Sequence, residues 1–175
     1  AAFLRARYNG TEHFWAFPSG AKIYFGAMQY VKDRINYQGK RYDYIAFDEL
    51  THFSWEEYSY LFSRNRPSGP GTRVYMRAST NPGGPGHGWV KAYFVDSTDI
   101  GRRVHSVRRE SPFEQGKCTQ TTVQYIPATV RDNPHITADY IFELEQKPGK
   151  LRDALLFGKW DAFEGQAFPE FVNDP

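Results

Sequence analysis

Asp48-Glu49 follows the apolar run Tyr44-Ile45-Ala46-Phe47, and about thirty residues later Ser79-Thr80-Asn81-Pro82 follows Tyr75-Met76-Arg77-Ala78. Two carboxylates and three short polar side chains, each set closing an apolar strand, suit metal-assisted hydrolysis of a nucleoside triphosphate. Magnesium demands hard oxygen ligands at about 2.0–2.1 Å and keeps several waters. A carboxylate at a strand end, Asp48, can hold it beside the phosphates, directly or through water. In an extended chain the next residue points the other way, which would turn Glu49 toward the attacking water. A general base of that kind contributes about 10²–10⁴-fold in rate. Ser79, Thr80 and Asn81 could touch a γ-phosphate or that water from a neighbouring strand. Each segment alone has a plainer reading: an acidic pair capping the next helix, and a turn at Asn-Pro.

The elements that must position these residues can be read from pattern. Residues 22–27 suit a strand, and 28–41 a polar, basic helix or loop around Gly39. Tyr44–Phe47 is apolar without alternation, as in a parallel strand buried on both faces. Ser54-Trp55-Glu56-Glu57 is a capping box, and Tyr58, Leu61 and Phe62 give the following helix an apolar face. Residues 66–71 form a turn region, and residues 73–78 the next strand. The loop Asn81–Gly88 is too glycine-rich for regular structure, and its His87, with Trp89 just beyond, could brace it or meet a partner. Trp89–Phe94 suits a short helix, Val104–Val107 and Val123–Ile126 suit strands, and helices are predicted over Thr137–Gln146 and Lys150–Phe157, parted by Pro148-Gly149. Strands alternating with helices make an α/β sheet. Ligands of such sheets sit at the carboxyl ends of the strands, where both polar segments fall.

Composition excludes several classes. The 175 residues suit one domain, with room for a core that buries roughly 70% of the unfolded surface. A 40% hydrophobic and 17% aromatic content argues against disorder. The net charge of +2 is too small to imply a polyanion partner by itself. One cysteine, Cys118, rules out an internal disulfide framework and fits a reducing compartment. No apolar run is long enough to span a membrane as a helix, and the N-terminus has no signal-peptide core. The histidines, His13, His52, His87, His105 and His135, lack metal-binding spacing. No Gly-x-Ser-x-Gly marks a serine nucleophile. Arg102, Arg103, Arg108 and Arg109 around His105, and Arg64, Arg66, Arg73 and Arg77, could meet DNA phosphates or simply form solvated faces.

Tyr44–Glu49, followed by Ser79-Thr80-Asn81-Pro82-Gly83-Gly84-Pro85-Gly86-His87-Gly88-Trp89, resembles the ATPase half of bacteriophage terminase large subunits, the motors that package viral DNA. Ile126-Pro127-Ala128, Asp132-Asn133-Pro134, Asp139-Tyr140-Ile141 and Leu155-Leu156-Phe157-Gly158-Lys159-Trp160 extend the resemblance, with Gly165 and Phe168 beyond. It spans roughly Lys22 to Phe171. The Asp-Glu element is shared by many ATPases; the glycine loop and the Gly-Lys-Trp tail are far more specific. The resemblance implies a P-loop NTPase-like fold of the RecA type, a mostly parallel sheet flanked by helices. It implies Mg²⁺ on Asp48, a catalytic base at Glu49, and a coupling motif at Ser79, Thr80 and Asn81. It further implies ATP as the nucleotide and double-stranded DNA, a small terminase subunit and the portal of a procapsid as partners. A homo-oligomeric ring and the host cytoplasm complete the expectation. An arginine offered to a neighbouring subunit is expected before the Asp-Glu strand. Gln38 stands where it would fall, leaving Arg34 and Arg41 as weak candidates.

The sequence departs from that pattern in one respect that matters. It contains no Gly-x-x-x-x-Gly-Lys-Ser/Thr, the loop that cradles phosphates. The expectation is a partial ATPase domain over 1–160, with Walker B and coupling motifs but no Walker A. A linker over 161–175 would lead to an absent nuclease domain. Such a piece should turn over negligible ATP alone. Its sheet, lacking the phosphate-loop strand, should be incomplete, rearranged or patched by another copy. Two rivals share the residues: another nucleic-acid ATPase such as a helicase, and a non-enzymatic interaction domain with a decayed ATPase fold.

Overall fold

The computed structural model describes residues 5–97, 104–110 and 115–163, with only the backbone of 104–110 and 119–120. Within the described residues seven strands fall into three small sheets. Strands β1 (Arg7–Asn9), β2 (Phe14–Ala16) and β3 (Lys22–Tyr24) form an antiparallel sheet in that order. Strands β4 (Tyr44–Phe47) and β5 (Tyr75–Ala78) pair in parallel, Tyr44 opposite Tyr75 and Phe47 opposite Ala78. Strands β6 (Val104–Glu110) and β7 (Cys118–Gln124) make an antiparallel hairpin, Val104 opposite Gln124 and Glu110 opposite Cys118. Helices α1 (Trp55–Tyr60), α2 (His87–Val90), α3 (Ala138–Glu145) and α4 (Gly149–Phe157) complete the regular elements.

The fold is α/β, but the mostly parallel sheet is not what the described residues form. Among the described residues the parallel pairing is that of β4 with β5, beside one isolated parallel bridge between Tyr42 and Asn65. The strand predicted over 22–27 shortens to Lys22–Tyr24 and pairs locally with β2. A tight turn makes that pairing inexpensive: Phe17 N–H donates to Ala21 O at 2.9 Å and Gly20, at φ +86°, supplies the reversal.

The two-sided burial expected for β4 also fails. Ile45 and Phe47 are buried, whereas Tyr44 is 46% exposed and its cross-strand neighbour Tyr75 is 41% exposed. The alternation is that of a sheet with one covered face. The covered face meets an aromatic core of Ile45, Phe47, Leu50, Tyr58, Leu61, Val90 and Trp160. Phe47 meets Phe53 and Tyr58 edge-on at 5.1 and 5.2 Å, and Tyr58 stacks on Trp89 at 5.1 Å. Leu50, 1% exposed, is worth about 1.5–3 kcal/mol by its burial alone.

Helix α1 starts where the capping box places it. Ser54 Oγ accepts from Glu57 N at 3.2 Å, and the Glu57 carboxylate accepts from Ser54 N–H and O–H at 2.7 and 2.8 Å. Because Glu57 is itself buried, Ser54→Ala removes a cap and a partner of a buried carboxylate. It is expected to cost about 1–2 kcal/mol in urea unfolding, with Ser54→Asp recovering less than Ser54→Thr because it brings a second charge to Glu57. After α1 the chain tightens into a 3₁₀ turn over Leu61–Ser63. Helix α2 begins two residues before the predicted Trp89 and widens into one π turn over Lys91–Val95. Thr137 caps α3, and Gly158, at φ +62°, closes α4.

Candidate functional site

The parallel pairing of β4 and β5 brings Asp48-Glu49 and Ser79-Thr80-Asn81 to the same end of one sheet. The ladder runs one step past the strands: Ser79 N–H donates to Phe47 O at 3.0 Å. In a regular parallel ladder Ser79 O would next accept from Glu49. It accepts instead from Leu50 N–H at 3.0 Å, so one residue is skipped. The skipped residue is Glu49, whose φ of +52° and ψ of +56° are left-handed. Among the described residues only His13 shares a positive φ without being glycine. The extended alternation assumed from sequence therefore ends at Asp48. Glu49 is re-aimed by a bulge, a device common beside active sites.

Asp48 is exposed and takes a hydrogen bond from Ser79 Oγ at 2.6 Å. Glu49 occupies the cap position of the 3₁₀ turn Leu50–His52 but makes no side-chain cap bond. Neither carboxylate is spent on capping, which removes the plainer reading of the pair. Thr80 faces the other way. Its Oγ1 accepts from Thr51 N–H at 3.0 Å and lies 2.9 Å from Thr51 Oγ1. The three polar residues are thus divided: Ser79 joins the carboxylate, Thr80 braces the fold, and Asn81, exposed, lends its backbone oxygen to the Thr51 hydroxyl at 3.2 Å.

The glycine loop closes over this framework. Gly86 N–H donates to Thr51 O at 2.7 Å, and Trp89 Nε1–H donates to Phe53 O at 2.8 Å. His87 Nδ1 accepts from Gly83 N–H at 3.0 Å. The His87 ring stacks on Trp160 at 5.2 Å, and Trp160 Nε1–H donates to Tyr125 Oη at 3.0 Å. The loop and the Gly-Lys-Trp tail, the two segments singled out as most specific, are in contact. Lys159, between Gly158 and Trp160, bonds Asp153 at 2.9 Å and holds that carboxyl below its ordinary range, with Arg152 adding to the effect.

Other sequence candidates are placed as follows. Arg34 pairs with Glu56 and lies over the Tyr60 ring at 5.7 Å, while Arg41 is exposed. Arg64 lies over the same ring at 5.0 Å, and Arg66 donates to Lys40 O at 3.4 Å. Arg73 and Arg77 both lie over Tyr75, at 5.8 and 5.3 Å. Arg102, Arg103, Gly165, Phe168 and the tail beyond 163 lie outside the described residues, as do the side chains of His105, Arg108 and Arg109. A shallow cleft of about 330 Å³ is lined by Met28, Tyr30, His52, Ser54, Glu57 and Pro85, among others. It includes none of the five polar residues at the strand ends. No group of three His, Cys, Asp or Glu gathers among the described residues. No helix among them is long and apolar enough to cross a membrane.

Thr51 is the residue that sequence reading missed. A threonine between Leu50 and His52 carries no pattern of its own; only its burial and four bonds single it out.

Comparison with curated proteins and with solved structures returns no match. A family model does match, described as terminase large subunit, T4likevirus-type, N-terminal, and it covers residues 1–172. With that match over nearly the whole chain, and with its two polar motifs meeting at the end of a parallel strand pair, the protein belongs to the terminase large subunit family and has a role in phage DNA packaging.

Proposed function

We propose that the chain is the C-terminal part of a terminase ATPase domain, residues 1–160, with 161–175 leading toward a nuclease domain. In this reading β4 and β5 are two strands of a larger P-loop NTPase-like sheet, carrying its Walker B and coupling motifs. ATP hydrolysis there drives duplex DNA into a procapsid. The partners are the DNA, a small terminase subunit, the portal, and further copies in a ring, in the host cytoplasm. The observation that carries the reading is the 2.6 Å bond between Asp48 and Ser79 at adjacent carboxyl ends, with Glu49 bulged out beside them.

The donor set suits magnesium. A carboxylate and a hydroxyl are both hard oxygen ligands, and Asp48 is exposed enough to leave the remaining positions to water and phosphate. Bound there, the ion would neutralise charge on the phosphates as they transfer. Asp48 and Ser79 would hold it. The bulge offers the Glu49 carboxylate from a different direction, so that one group binds cation while the other orients and deprotonates water. The chemistry asks little more of the protein than position and charge.

Asp48→Asn tests the assignment in the full terminase large subunit. The Mg²⁺ concentration for half-maximal ATP turnover is expected to rise at least about tenfold, with thermal stability within about 0.5 kcal/mol of wild type. An unchanged Mg²⁺ requirement would overturn the role given to Asp48. A protein whose DNA packaging survives without any turnover would instead favour the non-enzymatic reading.

A further inference from the structure

Thr51 is 2% exposed, yet every polar group it owns is engaged. Its N–H goes to Thr80 Oγ1 at 3.0 Å, its hydroxyl meets Thr80 Oγ1 at 2.9 Å and donates to Asn81 O at 3.2 Å, and its carbonyl accepts from Gly86 N–H at 2.7 Å. Thr80 Oγ1 also reaches Asn81 O at 3.2 Å. The two hydroxyls and that carbonyl form a closed circuit. Either hydroxyl can donate to the carbonyl while the other donates to its neighbour. The circuit begins two residues after the left-handed turn at Glu49.

We infer that Thr51 is a positioning residue that ties the conformation of the Asp48–Glu49 turn to the Ser79–Asn81 segment and the glycine loop. The physical argument is one of rigid linkage. Leu50 is buried at 1% exposure and fixed by its N–H to Ser79 O at 3.0 Å. A rotation at Glu49 therefore cannot be absorbed before Thr51. There it must either break the circuit or carry Thr80, Asn81 and Gly86 with it. A buried hydrogen bond left unmade is costly, so the segments move together. Thr51 acts through Thr80, the partner of both its N–H and its hydroxyl.

The inference rests on the ATPase reading, and the test separates the two. In the full terminase large subunit, Thr51→Val keeps the shape and removes the hydroxyl, while Thr51→Ser keeps the hydroxyl. Thr51→Val is expected to lower kcat for ATP about tenfold at unchanged KM, as the loss of two neutral hydrogen bonds implies. Thr51→Ser is expected to stay within about twofold of wild type. Wild-type kcat in Thr51→Val overturns the inference alone, provided Glu49→Gln still abolishes turnover. Absence of ATP turnover by the wild type overturns the ATPase reading instead, and turnover that ignores Glu49→Gln overturns the role given to that residue.

Amide hydrogen exchange over residues 79–86, without nucleotide, decides the linkage independently of turnover. Glu49→Gly, which frees the left-handed turn, is expected to shift exchange there by about threefold or more. With Thr51→Val in the same molecule the shift should vanish. No shift, or an equal shift in both backgrounds, means that Thr51 transmits nothing.

Discussion

Glu49→Gln is expected to lower ATP turnover by the terminase large subunit about 10²–10⁴-fold, with nucleotide and Mg²⁺ affinity held within about twofold. The amide keeps the size of the carboxylate but loses its negative charge and its ability to take a proton. Glu49→Gly should lose as much activity yet gain stability. A non-glycine residue at φ +52° carries a cost of about 1–2 kcal/mol. Glycine removes that cost and returns about 0.5–1 kcal/mol of it as unfolded-state entropy. The net expected gain is about 0.5–1 kcal/mol in urea unfolding. Activity and stability moving in opposite directions at one position are the signature of strain kept for function. Should Glu49→Gly destabilise the protein, the turn is held by the glutamate side chain and the strain argument fails.

Gly86→Ala is expected to be the most damaging small substitution in the described chain. A Cβ there would lie 2.3 Å from Phe53 O, 2.7 Å from Trp89 Nε1 and 2.9 Å from Thr51 O. Two of these are backbone oxygens, and the indole is anchored to one of them at 2.8 Å. Nothing can swing aside, so the loop itself must leave. The cost is expected to reach about 3 kcal/mol or more, a large share of the about 5–15 kcal/mol that holds a domain folded. Gly88→Ala, two residues on, is the control. Its Cβ would meet nothing within 4 Å and it lies inside helix α2, so a gain of about 0.5–1 kcal/mol is expected. Denaturant midpoints of the two variants should bracket the wild type. A neutral Gly86→Ala would show that the loop is not seated on Thr51 and Phe53.

Much of the framework around these positions was legible from the sequence. The strand ahead of Asp48, the cap at Ser54 and Glu57, the strand Tyr75–Ala78 and the helices closed by Phe157 are written in short-range signals, which local physics obeys. The shared end of β4 and β5 followed from two apolar runs that each stop at polar residues. What was not legible has a common cause. Strands Arg7–Asn9 and Phe14–Ala16 are three residues each, too short for any period to show. The left-handed Glu49 violates its own propensity, so no rule based on propensity finds it. The exposed Tyr44 could not be told from a buried one, because burial depends on which elements are present to cover it. Thr51 is meaningful only through partners about thirty residues away.

The bond from Ser79 to Asp48 spans 31 residues, and that distance along the chain sets when the site can exist. The hairpins β1–β3 and β6–β7 close over short loops and can form early. The parallel pair closes over a longer stretch, the one that carries α1 and its flanking turns. Loop closure over such a span is an entropic toll collected before any contact repays it. The carboxylate and its hydroxyl therefore meet later than the local hairpins form. A chain slowed or trapped before that point would hold its hairpins and still keep Asp48 and Ser79 apart.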